Sequence, residues 1–172
     1  MTETEIEGTL NFSGIKLQYN FIQPANDIAT IVATGGANSG YLNGPGNIYH
    51  DLEKQLPEKN ISFLRINVTD NYENGNNQVY HAINYFLGKK NYKKPIILMG
   101  WSMGGSSVIH AANMLQQIIR IDEIITFACQ PTNLSIVKNI NCPINFIHGT
   151  QDQIFNIEES VKMFEMNSKL NK

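Results

Sequence analysis

The chain has 172 residues, of which 42% are hydrophobic and only 16% charged, with a formal net charge of −2. That length suits one domain, residues 1–172, able to bury a core of its own. The balanced charge leaves no basic stripe for nucleic acid, and no apolar stretch has the length needed to cross a bilayer. The start, Met1-Thr2-Glu3-Thr4-Glu5, is acidic and lacks the apolar run of a secretory signal. The expectation is a soluble cytoplasmic protein. Cys129 and Cys142 lack the spacing of a metal or redox motif and read as buried free thiols.

In chain order, Ile6–Phe12 and Ile15–Phe21 alternate apolar with polar around Ser13-Gly14 and read as an antiparallel strand pair. Thr30-Ile31-Val32-Ala33-Thr34 is short, β-branched and apolar on both faces, as in a parallel sheet. A glycine-rich loop follows, from Gly35 to Gly46. A helix over about 47–56 then places Ile48, Leu52 and Leu56 on one face. The alternation repeats. Residues 61–68 read as a strand, 71–77 as a polar loop, 78–87 as a helix and 96–99 as a strand. A helix over 103–119 and a strand over 124–128 follow. One helical turn near 134–137, a strand over 144–148 and a last helix over 157–166, with Val161 and Phe164 facing in, complete the chain. Strand and helix alternate throughout, so the fold class is α/β with a mostly parallel sheet and helices on both faces.

Gly100-Trp101-Ser102-Met103-Gly104 stands between the strand at 96–99 and the helix behind it. A Gly-x-Ser-x-Gly pentapeptide in that context is a nucleophile elbow. The strand-to-helix bend is too tight for side chains at its flanks, and it lifts the serine Oγ to the helix N-terminus. Ser102 is therefore the candidate nucleophile. The oxyanion it would create needs two donors, and position assigns these to the backbone N–H of Met103 and to that of Gly36 or Ala37. Trp101 reads as a core aromatic packed under the elbow. The loop after Gly35 lacks the Lys-Ser/Thr ending of a phosphate-binding loop.

Together with Pro143-Ile144-Asn145-Phe146-Ile147-His148-Gly149-Thr150-Gln151-Asp152, the elbow resembles the α/β-hydrolase superfamily, of serine esterase or thioesterase type, over nearly the whole chain. The resemblance implies that Asp152 is the acid of a catalytic triad and that His148 orders its loop. It also implies no cofactor and no metal, since acyl hydrolysis uses water and no His/Cys/carboxylate cluster has metal spacing. Thr34-Gly35 stands where many relatives have His-Gly. Between Ala128 and Pro143 there are too few residues for a lid domain, so the pocket is expected to be open and to take a small ester, thioester or related acyl compound.

No histidine follows Asp152, where the family order Ser, Asp, His requires one. The resemblance thus implies a C-terminally shortened member without its final strand and base. Three readings stay open. The chain is a catalytically impaired binding or interaction module, an enzyme whose imidazole comes from a neighbouring subunit or from His148, or part of a longer hydrolase. Either way the strand at 143–148 is expected to lie at the sheet edge and to pair with a second copy.

Overall fold

The β-branched and aromatic runs form one seven-stranded sheet in the computed structural model, which describes residues 3–12, 15–37, 44–68, 72–88 and 94–167. The strands are β1 (Glu3–Phe12), β2 (Ile15–Pro24), β3 (Ala29–Thr34), β4 (Ile61–Asn67), β5 (Ile96–Trp101), β6 (Glu123–Phe127) and β7 (Ile144–Ile147), in the spatial order β1-β2-β4-β3-β5-β6-β7. The pair β1–β2 is antiparallel, as its alternation predicts, and β2 also runs antiparallel to β4. From β4 across to β7 every pairing is parallel. The expected Ser13-Gly14 turn lies outside the described residues.

Among the described residues five helices, α1 (Ile48–Gln55), α2 (Tyr72–Leu87), α3 (Met103–Leu115), α4 (Leu134–Asn139) and α5 (Ile157–Asn167), cover the sheet. On one face Val79 and Ile83 of α2, Val108 and Ile109 of α3, Val137 of α4 and Met163 of α5 join Val32, Leu64, Leu98, Ile124 and Ile144 in a single core. On the other, Tyr49 of α1 packs with Ile31, Ala33, Phe63 and Met99, and Ile97, Trp101, Ile125 and Phe127 lie partly buried beside them. The alternation of faces along each strand sorts the residues in this way.

The chain passes from β3 to β4 on one side and then returns to place β5 on the other side of β3. The loops after β3 and β5 consequently diverge to opposite faces. In open α/β sheets that switch point leaves a crevice beyond the carboxyl ends of the two strands.

Three expectations need correction. Residues 72–77, read as a polar loop, are the first turns of α2. Their Asn and Gly content disfavours a helix in isolation, and tertiary packing overrides it. Gly75 lies so close to Val68 and Ser107 that a Cβ there would sit 2.7 Å and 3.2 Å from their side chains, so its bareness lets α2 approach α3. The helix expected to reach 119 ends at Leu115, because Gln116 donates to Asn139 O (3.0 Å) and accepts from Asn141 N–H (3.1 Å). Finally, α5 turns Ser160, Met163 and Asn167 inward and leaves Val161 and Phe164 almost half exposed. Polar contacts set this rotation. Asn167 Oδ1 accepts from Ile144 N–H (3.1 Å), and Ser160 Oγ lies 2.7 Å from His148 Nδ1.

Helix α1 is docked by charge as well as by Tyr49. Glu53 pairs with Arg65 of β4, whose side chain is 1% exposed, and His50 Nδ1 stands 3.5 Å from the same carboxylate. Removing one partner of a buried pair leaves the other charge uncompensated. Glu53→Ala should lower the unfolding free energy by about 3 kcal/mol. The exposed change Glu58→Ala should shift it by less than about 0.5 kcal/mol, both measured by urea denaturation at pH 7.

Candidate active site

Ser102 joins β5 to α3 with φ 55° and ψ −121°, a backbone conformation that residues other than glycine rarely adopt. Such a residue costs on the order of 1–3 kcal/mol and persists only where its surroundings leave no alternative. Here Ser102 N–H donates to Phe127 O (2.9 Å), and Ser102 O accepts from Gly105 N–H and Gln130 N–H (3.0 Å each). The elbow is thus held by its own helix and by the end of β6. Ala128, the residue that follows β6, also has a positive φ (42°), and its N–H donates to Ile147 O (2.8 Å). Nothing in the sequence around Ala128 signals that strain, which comes from bringing β6 and β7 to one edge beside the elbow.

The flanking glycines are required by close approach. A Cβ at Gly100 would stand 2.3 Å from Gly104 O, and one at Gly104 would stand 2.4 Å from Gly35 O and 2.7 Å from Thr34 O. The start of α3 therefore lies directly against the end of β3. Gly36 meets the serine itself. A Cβ there would be 3.0 Å from Ser102 Cβ and 3.4 Å from Oγ, so the Gly36 backbone borders the hydroxyl. Met103, the first residue of α3, has an N–H for which the helix offers no acceptor. Ser102 is partly exposed, and among the described residues no side chain hydrogen-bonds its Oγ.

Asp152 lies on the loop after β7. Its Oδ1 accepts from Ile154 N–H (2.8 Å) and Phe155 N–H (3.0 Å), closing a turn ahead of α5. Those two donors, Phe155 first and Ile154 next, hold the carboxyl below its ordinary titration range. Its Oδ2 is 3.4 Å from His148 Nε2. His148 is almost fully buried and uses both ring nitrogens. Nε2 is 3.0 Å from Phe155 O, which only accepts, so Nε2 carries a proton. In the neutral ring Nδ1 then accepts from the Ser160 hydroxyl. The imidazole ties β7, the Asp152 turn and α5 together. Ser160 is a member of this group that sequence reasoning missed, since its partner lies twelve positions away across a loop.

The other histidines are occupied elsewhere. His50 stands beside Glu53, and His81 stacks on Phe12 with ring centroids 5.0 Å apart. On α3, His110 Nε2 lies 2.7 Å from Oγ1 of Thr132, which precedes α4, and burial lowers the histidine's pKa. Both cysteines are buried and free, and burial pushes each thiol up to about 12. Among the described residues no group of His, Cys, Asp and Glu is arranged to hold a metal ion, and no helix is long and apolar enough to cross a membrane. A recess of about 370 Å³ bounded by Gln116, Arg120, Asp122, Asn141 and Cys142 lies at the opposite, amino-terminal edge of the parallel strands, away from Ser102.

Comparison with known proteins places this arrangement. Residues 25–172 match the model of the Dienelactone hydrolase family. Among solved structures, Est1E from Butyrivibrio proteoclasticus is 17% identical with a TM-score of 0.76, over 93% of this chain and 84% of that one. Alpha/beta hydrolase domain-containing protein 10 from mouse is 16% identical with a TM-score of 0.71, over 94% and 84%. A thioesterase domain from the curacin biosynthetic pathway is 10% identical with a TM-score of 0.73, over 96% and 90%. At these identities the likeness is one of fold. No curated protein matches in sequence.

The Asp152 turn carries a pH dependence of defined sign. The carboxyl's pKa in the folded protein lies below its unfolded value of 3.8. Its contribution is in place above that unfolded value and disappears as pH falls through the lower folded one. Asp152→Asn keeps an acceptor for the two N–H groups but does not titrate. Its urea midpoint should therefore change less than that of the wild type between about pH 5 and pH 2. Parallel curves would show that the carboxylate is not held by the turn.

Proposed function

Because the chain belongs to the dienelactone hydrolase family, we propose that it is a serine hydrolase acting on a small ester, thioester or related acyl substrate through Ser102. The observation that carries this reading is the strained Ser102 peptide, with α3 opening at Met103 on one side and Gly36 against the hydroxyl on the other. Ser102 Oγ attacks the acyl carbonyl, and the developing oxyanion is received by the N–H groups of Met103 and Gly36 in the crevice between β3 and β5. Asp152 orients and balances the imidazole that takes the serine proton. His148 serves the acid by ordering its turn, since both its nitrogens are engaged. The connection from β6 to β7 holds only α4, which supports an uncovered site open to small or extended acyl groups. The thioesterase domain among the fold neighbours, and Est1E, known with ferulic acid bound, support an acyl compound as substrate. No part of this chemistry calls for a cofactor. The buried free thiols support a reducing compartment, the cytoplasm.

A fluorophosphonate probe tests the assignment. It should label the wild type at neutral pH and leave Ser102→Ala unlabelled. An unlabelled wild type would favour the second reading, a catalytically impaired module that binds acyl ligands or a protein partner. The absence of any side chain bonded to Ser102 Oγ among the described residues is the observation that keeps this reading.

The four histidines of the chain are engaged in other contacts, so the imidazole of this reading would come from a neighbouring subunit or from further chain of a longer hydrolase. In the described sheet β7 is paired on one side only. Ile147 at its end and Val161 and Phe164 on α5 are each about half exposed. Apolar groups next to an unpaired strand edge invite a two-fold pairing of like edges. Light scattering should give a dimer mass, and Ile147→Lys should give a monomer. A wild type that stays monomeric at every concentration would rule out pairing along β7.

A further inference from the structure

Gly36 can act as an oxyanion donor only if the segment after β3 is held still, and the side chain at its root does not hold it. Thr34 Oγ1 is buried without a hydrogen-bond partner. The segment is secured through its backbone instead. Tyr49 of α1 is fully buried, and its hydroxyl donates to Thr34 O at 3.0 Å. The same ring meets Gly44. A Cβ at Gly44 would stand 2.7 Å and 2.9 Å from two Tyr49 ring carbons, so only a bare Cα fits against the ring. One aromatic side chain thus touches the chain where it leaves β3 and where it turns toward α1. Phe63 of β4 backs the ring in an edge-on contact, with centroids 6.5 Å apart. Burial raises the phenol's pKa far above its ordinary value, which keeps the hydroxyl a donor.

We propose that Tyr49 is a positioning residue of the oxyanion hole. Its hydroxyl on Thr34 O and its ring on Gly44 fix the backbone that presents Gly36 to Ser102. The inference rests on the assignment of Gly36 as a donor. Thr34 O is also one of the atoms against which Gly104 packs, so the phenol, the end of β3 and the first turn of α3 form one contiguous contact beneath the hydroxyl. A hydrogen bond placed there serves the geometry of the transition state more than the binding of a substrate. Its loss should appear in kcat and leave KM nearly unchanged.

The test compares wild type, Tyr49→Phe, Leu87→Ala and Ser102→Ala on p-nitrophenyl acetate, with backbone amide exchange of Gly36 and Ala37 measured in parallel. Tyr49→Phe keeps the ring and removes only the hydroxyl. It should lower kcat by about tenfold, the scale of one modest hydrogen bond misplaced in the transition state, with KM changed less than about twofold. It should speed exchange at Gly36 and Ala37 while leaving the amides of the middle of α3 as in the wild type. Leu87→Ala disturbs the core on the other face of the sheet without touching the Tyr49 ring or the segment. It should lower the melting temperature and leave kcat and the exchange of Gly36 near wild type. Equal kcat in Tyr49→Phe and wild type, or equal exchange at Gly36, overturns the proposal. So does a matching loss in both core variants. A wild type with no Ser102-dependent turnover would remove the hydrolase reading instead, and the exchange at Gly36 would still decide whether Tyr49 holds the segment.

Discussion

The structure turns on a single backbone conformation, the positive φ at Ser102. An L-residue does not stay there unaided, so the surrounding structure must make every alternative worse. The means are bonds from three directions: Phe127 O accepts from the Ser102 N–H, while Gln130 and Gly105 donate to its carbonyl. Two of these come from the β6 end, a separate stretch of chain. The position of the Ser102 hydroxyl is thus a property of two neighbouring strand ends and one helix start acting together. The strain extends to Ala128, which follows β6 and bonds in turn to β7. A row of backbone hydrogen bonds along the carboxyl edge so connects the elbow to the strand that carries His148 and the Asp152 turn.

Backbone contacts dominate the site for a physical reason. Side chains at Gly100, Gly104 and Gly36 would collide with neighbouring backbone or with Ser102, so the space around the serine is filled by peptide groups. Peptide N–H groups placed this way need little rearrangement when charge develops, and under the proposed function this is where their catalytic value would lie. The side chains that matter lie one layer out, where they hold peptides in place. Tyr49 bonds a carbonyl of β3, Ser160 and His148 join α5 to the loop after β7, and Asp152 gathers two N–H groups of its own turn.

Much of this was legible in the residues. Short β-branched runs alternating with amphipathic stretches identified the α/β class, and the strand boundaries fell within a few residues, because local apolar periodicity reports which face of an element is buried. Gly100-Trp101-Ser102-Met103-Gly104 announced a tight bend, because its steric demand is local. The failures were equally physical. The first turns of α2 contain Asn and Gly and looked like a loop until Gly75 was seen packed against Val68 and Ser107. Helix α5 buries Ser160 and Asn167 in preference to Val161 and Phe164, because two polar anchors to β7 and its loop outweigh the apolar stripe.

The sequence by itself determined the alternation of elements, the bend that exposes one serine, and the aspartate after the last strand, since each follows from the steric and hydrophobic character of neighbouring residues. Tertiary structure alone decided the order of the strands, and with it the crevice between β3 and β5 where Gly36 faces Ser102. It also decided that His148 is spent on Ser160 and Phe155, and that Tyr49 reaches Thr34. The pairs with Ser160 and with Thr34 join residues twelve and fifteen positions apart, and His148 with Phe155 closes the loop between β7 and α5, so all of them arise only when the folded sheet brings the elements together.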